Sequence, residues 1–149
     1  MRHIPSALLL LSLAVLLAGA CDDDPASTGE TFDLVFIGDA SFQGAHGGQA
    51  IEIAVVEAGG GAVVASDGGT VSGAGTNAFS FTFDEVLEEG EAYEVHYWID
   101  SNFGGGTAGT CDPPANDHQW SVDIATVTQD LIMSDSHRPT ETESVCATF

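Results

Sequence analysis

The chain has 149 residues, of which 23 are acidic and two are basic, giving a formal net charge of −21. All of the acidic residues follow residue 21, where Arg138 is the one basic side chain, so this part carries a formal charge of −22. A balance of this sign excludes nucleic-acid binding and charge-driven docking on anionic lipid headgroups.

The N-terminal segment predicts an export signal. Arg2 is its one charge, an apolar run follows from Ala7 to Leu17, and small residues precede Cys21. This is the layout of a secretory signal with a cleavage site. The apolar stretch of residues 4–20 lies at the lower length limit of a membrane-spanning helix, and acidic residues follow it. We therefore expect residues 1–20 to be a signal peptide.

The cleavage site itself carries a resemblance. The residues Leu17-Ala18-Gly19-Ala20-Cys21 resemble the lipobox of bacterial lipoproteins, although Ala18 stands where a large aliphatic residue is more common. The resemblance implies that Cys21 is acylated, by palmitate or a similar chain, and becomes the N-terminus of the mature protein. Several acyl chains on one cysteine give lasting attachment. The implied location is the bacterial cell envelope, facing the periplasm or the exterior, with the choice of membrane open.

A short acidic segment follows the cysteine. It reads DDDPASTGE and consists of small, acidic and proline residues. Such a composition cannot bury enough apolar surface to fold. Residues 21–30 are therefore predicted to be the lipidated cysteine and a disordered tether, and residues 31–149 to form a single domain.

Apolar residues in this domain alternate with polar ones in short runs separated by glycine-rich turns. The clearest runs are TFDLVFIGD, QAIEIAVVE, NAFSFTFDE, EAYEVHYWID and QWSVDIA, with AVVAS, DLIMS and SVCATF as weaker ones. A period of two is typical of half-buried strands, and no stretch after residue 21 keeps a helical period. The sequence predicts an all-β fold, a single antiparallel β-sandwich of immunoglobulin or transthyretin-like form with seven to eight strands.

The number of cysteines is odd for an exported protein. Cys21, Cys111 and Cys146 are the three, and a lipid on Cys21 would leave the other two as a pair. An exported domain lies in a compartment where a disulfide persists. The alternative, a metal held by the two thiolates, lacks the close Cys-x-x-Cys spacing of such sites.

Several segments together resemble small uncharacterised bacterial lipoproteins with one sandwich domain. They are FQGAHGGQ, AFSFTFDEVLEEGEAYEVHYWIDSN, CDPPANDHQW and the VC pair near the end, and they span Phe42 to Cys146. Asp100, Asn102, Cys111 and Asp112 match a motif of that type, with extra glycines inserted here. The resemblance implies the lipobox, tether and sandwich arrangement and no particular activity.

The segment after the fourth strand run is rich in hard oxygen ligands. Its acidic and amide side chains are Asp100, Asn102, Asp112, Asn116 and Asp117. Calcium takes six to eight oxygen ligands from such side chains and from backbone carbonyls. The spacing differs from an EF-hand, so the alternative is a solvated loop in which Asp and Asn cap turns. The first of these interpretations predicts a calcium site formed by Asp100, Asn102, Asp112 and Asp117, with no other cofactor indicated.

Histidines offer a second metal-binding option. His46, His96, His118 and His137 could supply imidazole ligands to zinc or copper. No pair has the short spacing typical of such sites, and isolated histidines are more often surface or hydrogen-bonding residues.

Nothing in the sequence carries an enzyme signature, so we expect a non-enzymatic, lipid-anchored binding or structural module. Its partners would be the membrane, through the N-terminal lipid, and an unidentified protein or carbohydrate ligand. Trp98 and Trp120 are candidates for a sugar-stacking surface, although a tryptophan in a sandwich strand is usually part of the core. The alternative from another class is a metal-dependent hydrolase that uses the Asp100–Asp117 loop.

Overall fold

The computed structural model describes residues 29–149. The predicted signal peptide, the acylated Cys21 and the tether up to residue 28 lie outside the described residues. Within 29–149, no helix has the length and apolar character needed to cross a membrane.

Seven strands form nearly all of the regular secondary structure of this region. They are β1 (Thr31–Asp39), β2 (Ala50–Glu57), β3 (Val63–Thr70), β4 (Asn77–Glu88), β5 (Tyr93–Ile99), β6 (His118–Ile124) and β7 (Leu131–Asp135). A 3₁₀ helix at Ala40–Phe42 and the one-turn helix α1 (Gln43–His46) connect β1 to β2, and a second 3₁₀ helix spans Cys146–Thr148. The weak eighth run, SVCATF, was predicted as a strand and is instead this 3₁₀ turn. A side chain and a disulfide at Cys146 hold the backbone here in place of strand pairing. Val145 N, for example, donates to Gln119 Oε1 at 2.9 Å.

The strands form two sheets, and the all-β sandwich prediction is confirmed. One sheet has the order β4-β1-β7 and the other the order β3-β2-β5-β6. The chain changes sheet at four connections, between β1 and β2, β3 and β4, β4 and β5, and β6 and β7. One detail differs from the antiparallel prediction, because β7 lies parallel to β1, with Gly38 opposite Asp135. A parallel pair requires a crossover, and the passage of the chain through the other sheet supplies it.

The core lies between the sheets and comes from the alternating residues. Leu34, Phe36, Ile51, Ile53, Val55, Val95, Tyr97, Ile99 and Trp120 are all fully buried. The polar residues that alternate with these buried ones along each strand face outward. On β4, for example, Ser80 and Thr82 are exposed between buried phenylalanines. Trp98 points away from the core, yet only 4% of its surface is exposed. The Phe149 ring packs against it at 6.4 Å and covers it from the outside.

Cys111 and Cys146 form the disulfide that the sequence predicted. Their Cα atoms lie 5.4 Å apart, and the bond spans 35 positions of the chain. Beside it, the buried Gln119 donates from Nε2 to the Asp112 carbonyl at 2.5 Å and accepts from Val145 N. The crosslink and this amide together fasten the loop before β6 to the C-terminal turn.

Candidate metal centre

One end of the sandwich gathers residues from both sheets. β1 and β7 finish side by side there because they are parallel, and β5 ends where β2 and β6 begin, with Ile99 opposite both Ile51 and His118. Three histidines occupy this end. His46 closes α1, His118 is the first residue of β6, and His137 follows β7 by two positions.

The three side chains turn one nitrogen each toward a common point. His46 Nε2 lies 3.0 Å from His118 Nδ1 and 3.0 Å from His137 Nε2, and the last two nitrogens are 3.4 Å apart. An ion bound about 2.0–2.1 Å from three imidazole nitrogens in tetrahedral geometry would hold them roughly 3.3 Å from one another. The triangle has the dimensions of a three-histidine metal site.

The shape of the triangle also bears on the kind of ion. A square-planar ion bound by three ligands places two of them opposite each other, about 4 Å apart. All three separations here are 3.4 Å or less, so the nitrogens take positions on one face of a coordination polyhedron. Zinc, which has no electronic preference against tetrahedral geometry, fits this arrangement.

Two of the three histidines, His46 and His137, are held by hydrogen bonds to neighbouring residues. Gln49 Oε1 lies 2.7 Å from His46 Nδ1. Since an amide oxygen only accepts, Nδ1 carries the proton, and Nε2 of the neutral ring presents its lone pair to the centre of the triangle. A hydrogen-bonded outer partner of this kind is usual for metal-binding histidines. His137 is placed through its backbone, because its N–H donates to Ser41 Oγ at 2.8 Å.

Ser41 belongs to a small network at the end of β1. Its backbone N–H donates to Asp39 Oδ1 at 2.8 Å, its hydroxyl contacts the same oxygen, and Ser136 Oγ donates to Asp39 Oδ2 at 2.5 Å. These hydrogen bonds hold the pKa of the Asp39 carboxyl below its usual range. On the other side of His137, Arg138 pairs with Asp135, which also accepts a 2.6 Å hydrogen bond from the buried Tyr97 hydroxyl. The segment after β7 is thereby fixed to both sheets.

Aromatic rings surround the cluster. The indole of Trp120 is edge-on to all three imidazoles, with ring centroids 6.2, 5.4 and 5.8 Å from His46, His118 and His137. Trp120 is fully buried and its Nε1 donates to the Arg138 carbonyl, so it forms an apolar floor. Phe103 lies on the outer side, 4.8 Å from the His118 ring, and is 43% exposed.

The surroundings keep the histidines neutral. Burial lowers the pKa of His46 to about 4, an effect partly offset by the hydrogen bond that His46 Nδ1 donates to Gln49 Oε1. Burial also lowers the pKa of His118 and of His137, and the neighbouring His137 lowers that of His118 further. A metal requires the deprotonated imidazole, so these shifts favour metal binding near neutral pH.

The low pKa of His46 predicts a pH effect on the metal-free protein. Unfolded His46 takes up a proton near pH 6.5, whereas the folded residue does so only near pH 4. The unfolded state therefore binds more protons between these values, and stability falls as the pH is lowered from about 6.5 to 4, by about 2–3 kcal/mol in total. Below pH 4 this residue contributes no further change.

The measurement compares metal-free wild type with His46→Gln, which cannot titrate, by urea unfolding from pH 7.5 to 4. Because both proteins share every carboxylate, the difference between them isolates His46. A difference that stays constant across this range would contradict the buried neutral histidine.

The structure places the predicted calcium ligands on one loop, but it uses them differently. Asp117 is fully buried, and its Oδ1 accepts from the backbone N–H groups of Ser101 and Asn102 at 2.9 and 3.0 Å. Its Oδ2 accepts from Asp112 N at 2.9 Å. Asp117 thus organises the turn between β5 and β6, and this places His118 at the start of β6.

Asp100, Asn102 and Asp112 lie closer to the surface. Asp100 Oδ2 accepts from Gly109 N at 2.7 Å, and Asp112 Oδ2 accepts from Thr107 N. The Asn102 Oδ1 atom is buried without a hydrogen-bond partner. That oxygen and Asp112 Oδ2 both lie against Gly106, where a Cβ would be 2.7 and 2.9 Å from them. Among residues 29–149, the histidine cluster is the group of three or more His, Cys, Asp or Glu side chains whose ligand atoms converge within 4.8 Å.

Calcium binding at this loop stays a prediction with a definite test. Calcium should raise the stability more than magnesium at equal ionic strength, because a flexible loop of several oxygens suits calcium. Calcium at 100 times its dissociation constant adds about 2.7 kcal/mol. Asp100→Asn with Asp112→Asn should remove this increment, because each amide keeps an acceptor for the loop N–H but loses the charge.

The control is Glu88→Gln with Glu89→Gln, which removes two exposed charges at the end of β4 and just after it. Each double variant loses two negative charges, so the stabilisation that comes from general charge screening by divalent ions changes equally in the two. Equal responses to calcium and magnesium in the wild type would mean a solvated acidic loop.

The structure separates the fourth histidine from the cluster. His96 lies on the outer face of β5, where its Nδ1 is 2.7 Å from Thr148 Oγ1 and its Nε2 is 2.9 Å from Glu94. All four histidines are candidate ligands in the sequence, and their spacing does not distinguish these three from His96. His46, His118 and His137 are separated by 72 and 19 positions. The one local signal, a histidine directly before the QWSVDI strand, is too common to be specific.

Comparisons with known proteins find only a weak structural similarity. No family model matches the sequence, and no curated protein matches it. Among solved structures, a fimbrial assembly protein from Parabacteroides distasonis matches with a TM-score of 0.41 and 10% identity. The match covers 71% of this chain and 52% of that protein, so the chain spans about half its length. At this TM-score the likeness carries no functional information.

Proposed function

We propose that this chain is an exported, lipid-anchored β-sandwich that binds a transition-metal ion, zinc, through His46, His118 and His137. The observation that carries the proposal is the triangle of imidazole nitrogens, all within 3.4 Å of one another. Three neutral nitrogens at this distance cannot all be satisfied by hydrogen bonds among themselves, because each ring nitrogen carries either one proton or one lone pair and a third member of the triangle is left without a partner. A bound cation satisfies all three lone pairs at once.

Preorganisation supports the proposal further. The ligands come from three separate connections, yet each is fixed by the fold: His46 by Gln49, His118 by the strand pairing with Ile99, and His137 through Ser41. The three ligands are therefore already ordered in the folded chain, so little conformational entropy is lost when the ion binds, which favours tight binding. The formal charge of −22 on the exported part also concentrates cations near the surface.

We propose a binding role rather than a catalytic one. Asp117 is the acid whose charge acts on His118. Its two oxygens already accept from three backbone N–H groups, so it is poorly placed to take a proton from a metal-bound water. The alternative, a hydrolase working through the Asp100–Asp117 loop, needs a carboxylate free to act as a general base.

Zinc titration of the purified chain by calorimetry tests the metal site. We expect one zinc per chain, and a loss of affinity of more than about 100-fold in His46→Ala, His118→Ala or His137→Ala. Gln49→Ala should weaken binding by about 10–100-fold, as outer partners of metal-binding histidines do. The matched control is His96→Ala, a histidine outside the cluster. Loss of affinity in that variant, or none in the other three, would refute the site.

The lipid anchor is proposed from the lipobox-like site and from the pairing of the other two cysteines. Cys111 and Cys146 are bonded to each other, so Cys21 is the cysteine left for acylation. Cys21→Ser should lose lipid labelling and leave the membrane fraction, whereas a change at Ala18 to leucine should keep both. Unchanged membrane attachment of Cys21→Ser would refute acylation at this residue.

A further inference from the structure

We infer that the metal held by the three histidines keeps one exchangeable coordination position on the side of Phe103, and that this position takes a neutral nitrogen donor such as an imidazole. The inference rests on the proposed metal site and adds to it the place and the chemical class of an outside ligand. Three lines of evidence from the described residues lead to it.

The first is the number of protein ligands. Within residues 29–149, the converging group contains the three histidines and no carboxylate or thiolate. The neighbouring polar side chains are engaged elsewhere, since Gln49 Oε1 accepts from His46 Nδ1 and Ser101 Oγ donates to the Ile99 carbonyl at 3.0 Å. Zinc sites with three protein ligands keep a fourth position for water or an incoming molecule.

The second is the direction of that position. Trp120 closes the core side of the cluster, where the fully buried Phe42 also packs on the His46 and His137 rings. Neither ring can ligate a metal. His118 and His137 are half-buried, and Phe103 is exposed. An outside ligand therefore approaches from the half-open side, past the Phe103 ring.

The third is charge. With 23 acidic residues against one arginine in the exported part, a free anion is repelled as it approaches. A neutral imidazole meets no such barrier and is a strong ligand for zinc. Its ring would also pack against Phe103, an aromatic contact worth about 0.5–1.5 kcal/mol, or about 2–10-fold in affinity.

Cobalt-substituted protein makes the position visible. Cobalt(II) replaces zinc in such sites, and its visible spectrum responds to a change of ligand. We expect the cobalt-loaded chain to show an intense visible band that imidazole shifts in a saturable 1:1 titration, with the cobalt still bound after the imidazole is removed by dialysis. Azide at low ionic strength should bind more weakly than imidazole.

Two matched variants locate the ligand. Phe103→Ala should weaken imidazole binding by about 2–10-fold without changing cobalt affinity. Phe149→Ala removes a ring that is exposed to a similar extent, 45% against 43%, but packs on Trp98 instead, and should change neither. Equal imidazole affinity in Phe103→Ala and wild type would place the ligand elsewhere and overturn the proposed direction.

The remaining outcomes separate the two proposals. A visible band that imidazole leaves unchanged would mean that the protein supplies every ligand, which overturns the exchangeable position and leaves the metal site intact. Release of cobalt by imidazole would likewise overturn it, because no ternary complex would exist. Tighter binding of azide than of imidazole would overturn the ligand class. No histidine-dependent cobalt band at all would refute the metal site itself.

Discussion

Saturating zinc should raise the free energy of unfolding of this chain by about 4 kcal/mol when its concentration is 1,000 times the dissociation constant. The gain follows from linkage, because the folded chain holds His46, His118 and His137 together while the unfolded chain separates them by 72 and 19 positions. Zinc binds the assembled site far better than the scattered histidines, and the difference in binding appears as stability.

Urea unfolding with and without zinc, at constant ionic strength and pH 7.5, measures the effect. Magnesium at the same concentration is the control for charge screening, which any divalent ion provides to a chain of formal charge −21. His46→Ala leaves a cavity at a fully buried position and is itself destabilised, so the informative quantity is the zinc increment within each protein. That increment should vanish in His46→Ala and persist in His96→Ala. Equal increments from zinc and magnesium would contradict the prediction.

Removing the Cys111–Cys146 disulfide should lower the free energy of unfolding by about 3–4 kcal/mol. The bond closes a loop of 35 positions, and the chain-entropy relation gives a value of this size for such a loop. The expected effect is a substantial fraction of the stability of a domain of this length. It should appear in Cys111→Ser with Cys146→Ser, and in the wild type after complete reduction.

The same urea experiment with and without reductant decides the outcome. The free energy of unfolding of the double variant should not change with reductant, and that of the wild type should fall to about the same value once its disulfide is reduced. A useful comparison is Gln119→Ala, which leaves the crosslink but frees the Asp112 carbonyl and the Val145 N–H that the amide satisfies. Gln119→Ala should lower the free energy of unfolding by about 1–3 kcal/mol, since buried polar groups would be left unpaired. A reduced wild type as stable as the oxidised one would refute the stabilising role of the disulfide.

Much of the fold followed from local patterns in the sequence. Alternation placed Phe79, Phe81 and Phe83 on the buried face of β4 and Ser80 and Thr82 on the exposed face, because successive side chains on a strand point to opposite sides. The disulfide followed from counting, since three cysteines with one assigned to lipid leave a single pair. The covering of Trp98 did not follow, because it depends on where the last residue, Phe149, folds back.

The calcium and histidine interpretations show a different limit. Sequence proximity grouped Asp100, Asn102, Asp112 and Asp117, but the fold turned Asp117 inward to serve three backbone N–H groups. Residues that are close along a loop are free to point in different directions, so proximity alone does not form a ligand set. The three histidines had no proximity to suggest them.

The sequence by itself determined most of the strands and the face that each turns toward the core, because both depend on local alternation, and counting the cysteines singled out Cys111 and Cys146 as the pair. Tertiary structure alone brought the three histidines together. The decisive feature is the parallel pairing of β7 with β1, which brings His137 to the end of the sandwich where His46 and His118 lie. An antiparallel β7 would carry His137 to the opposite end. Strand direction is set by the long connections and by packing of the two sheets, and a period of two is the same whichever way a strand runs.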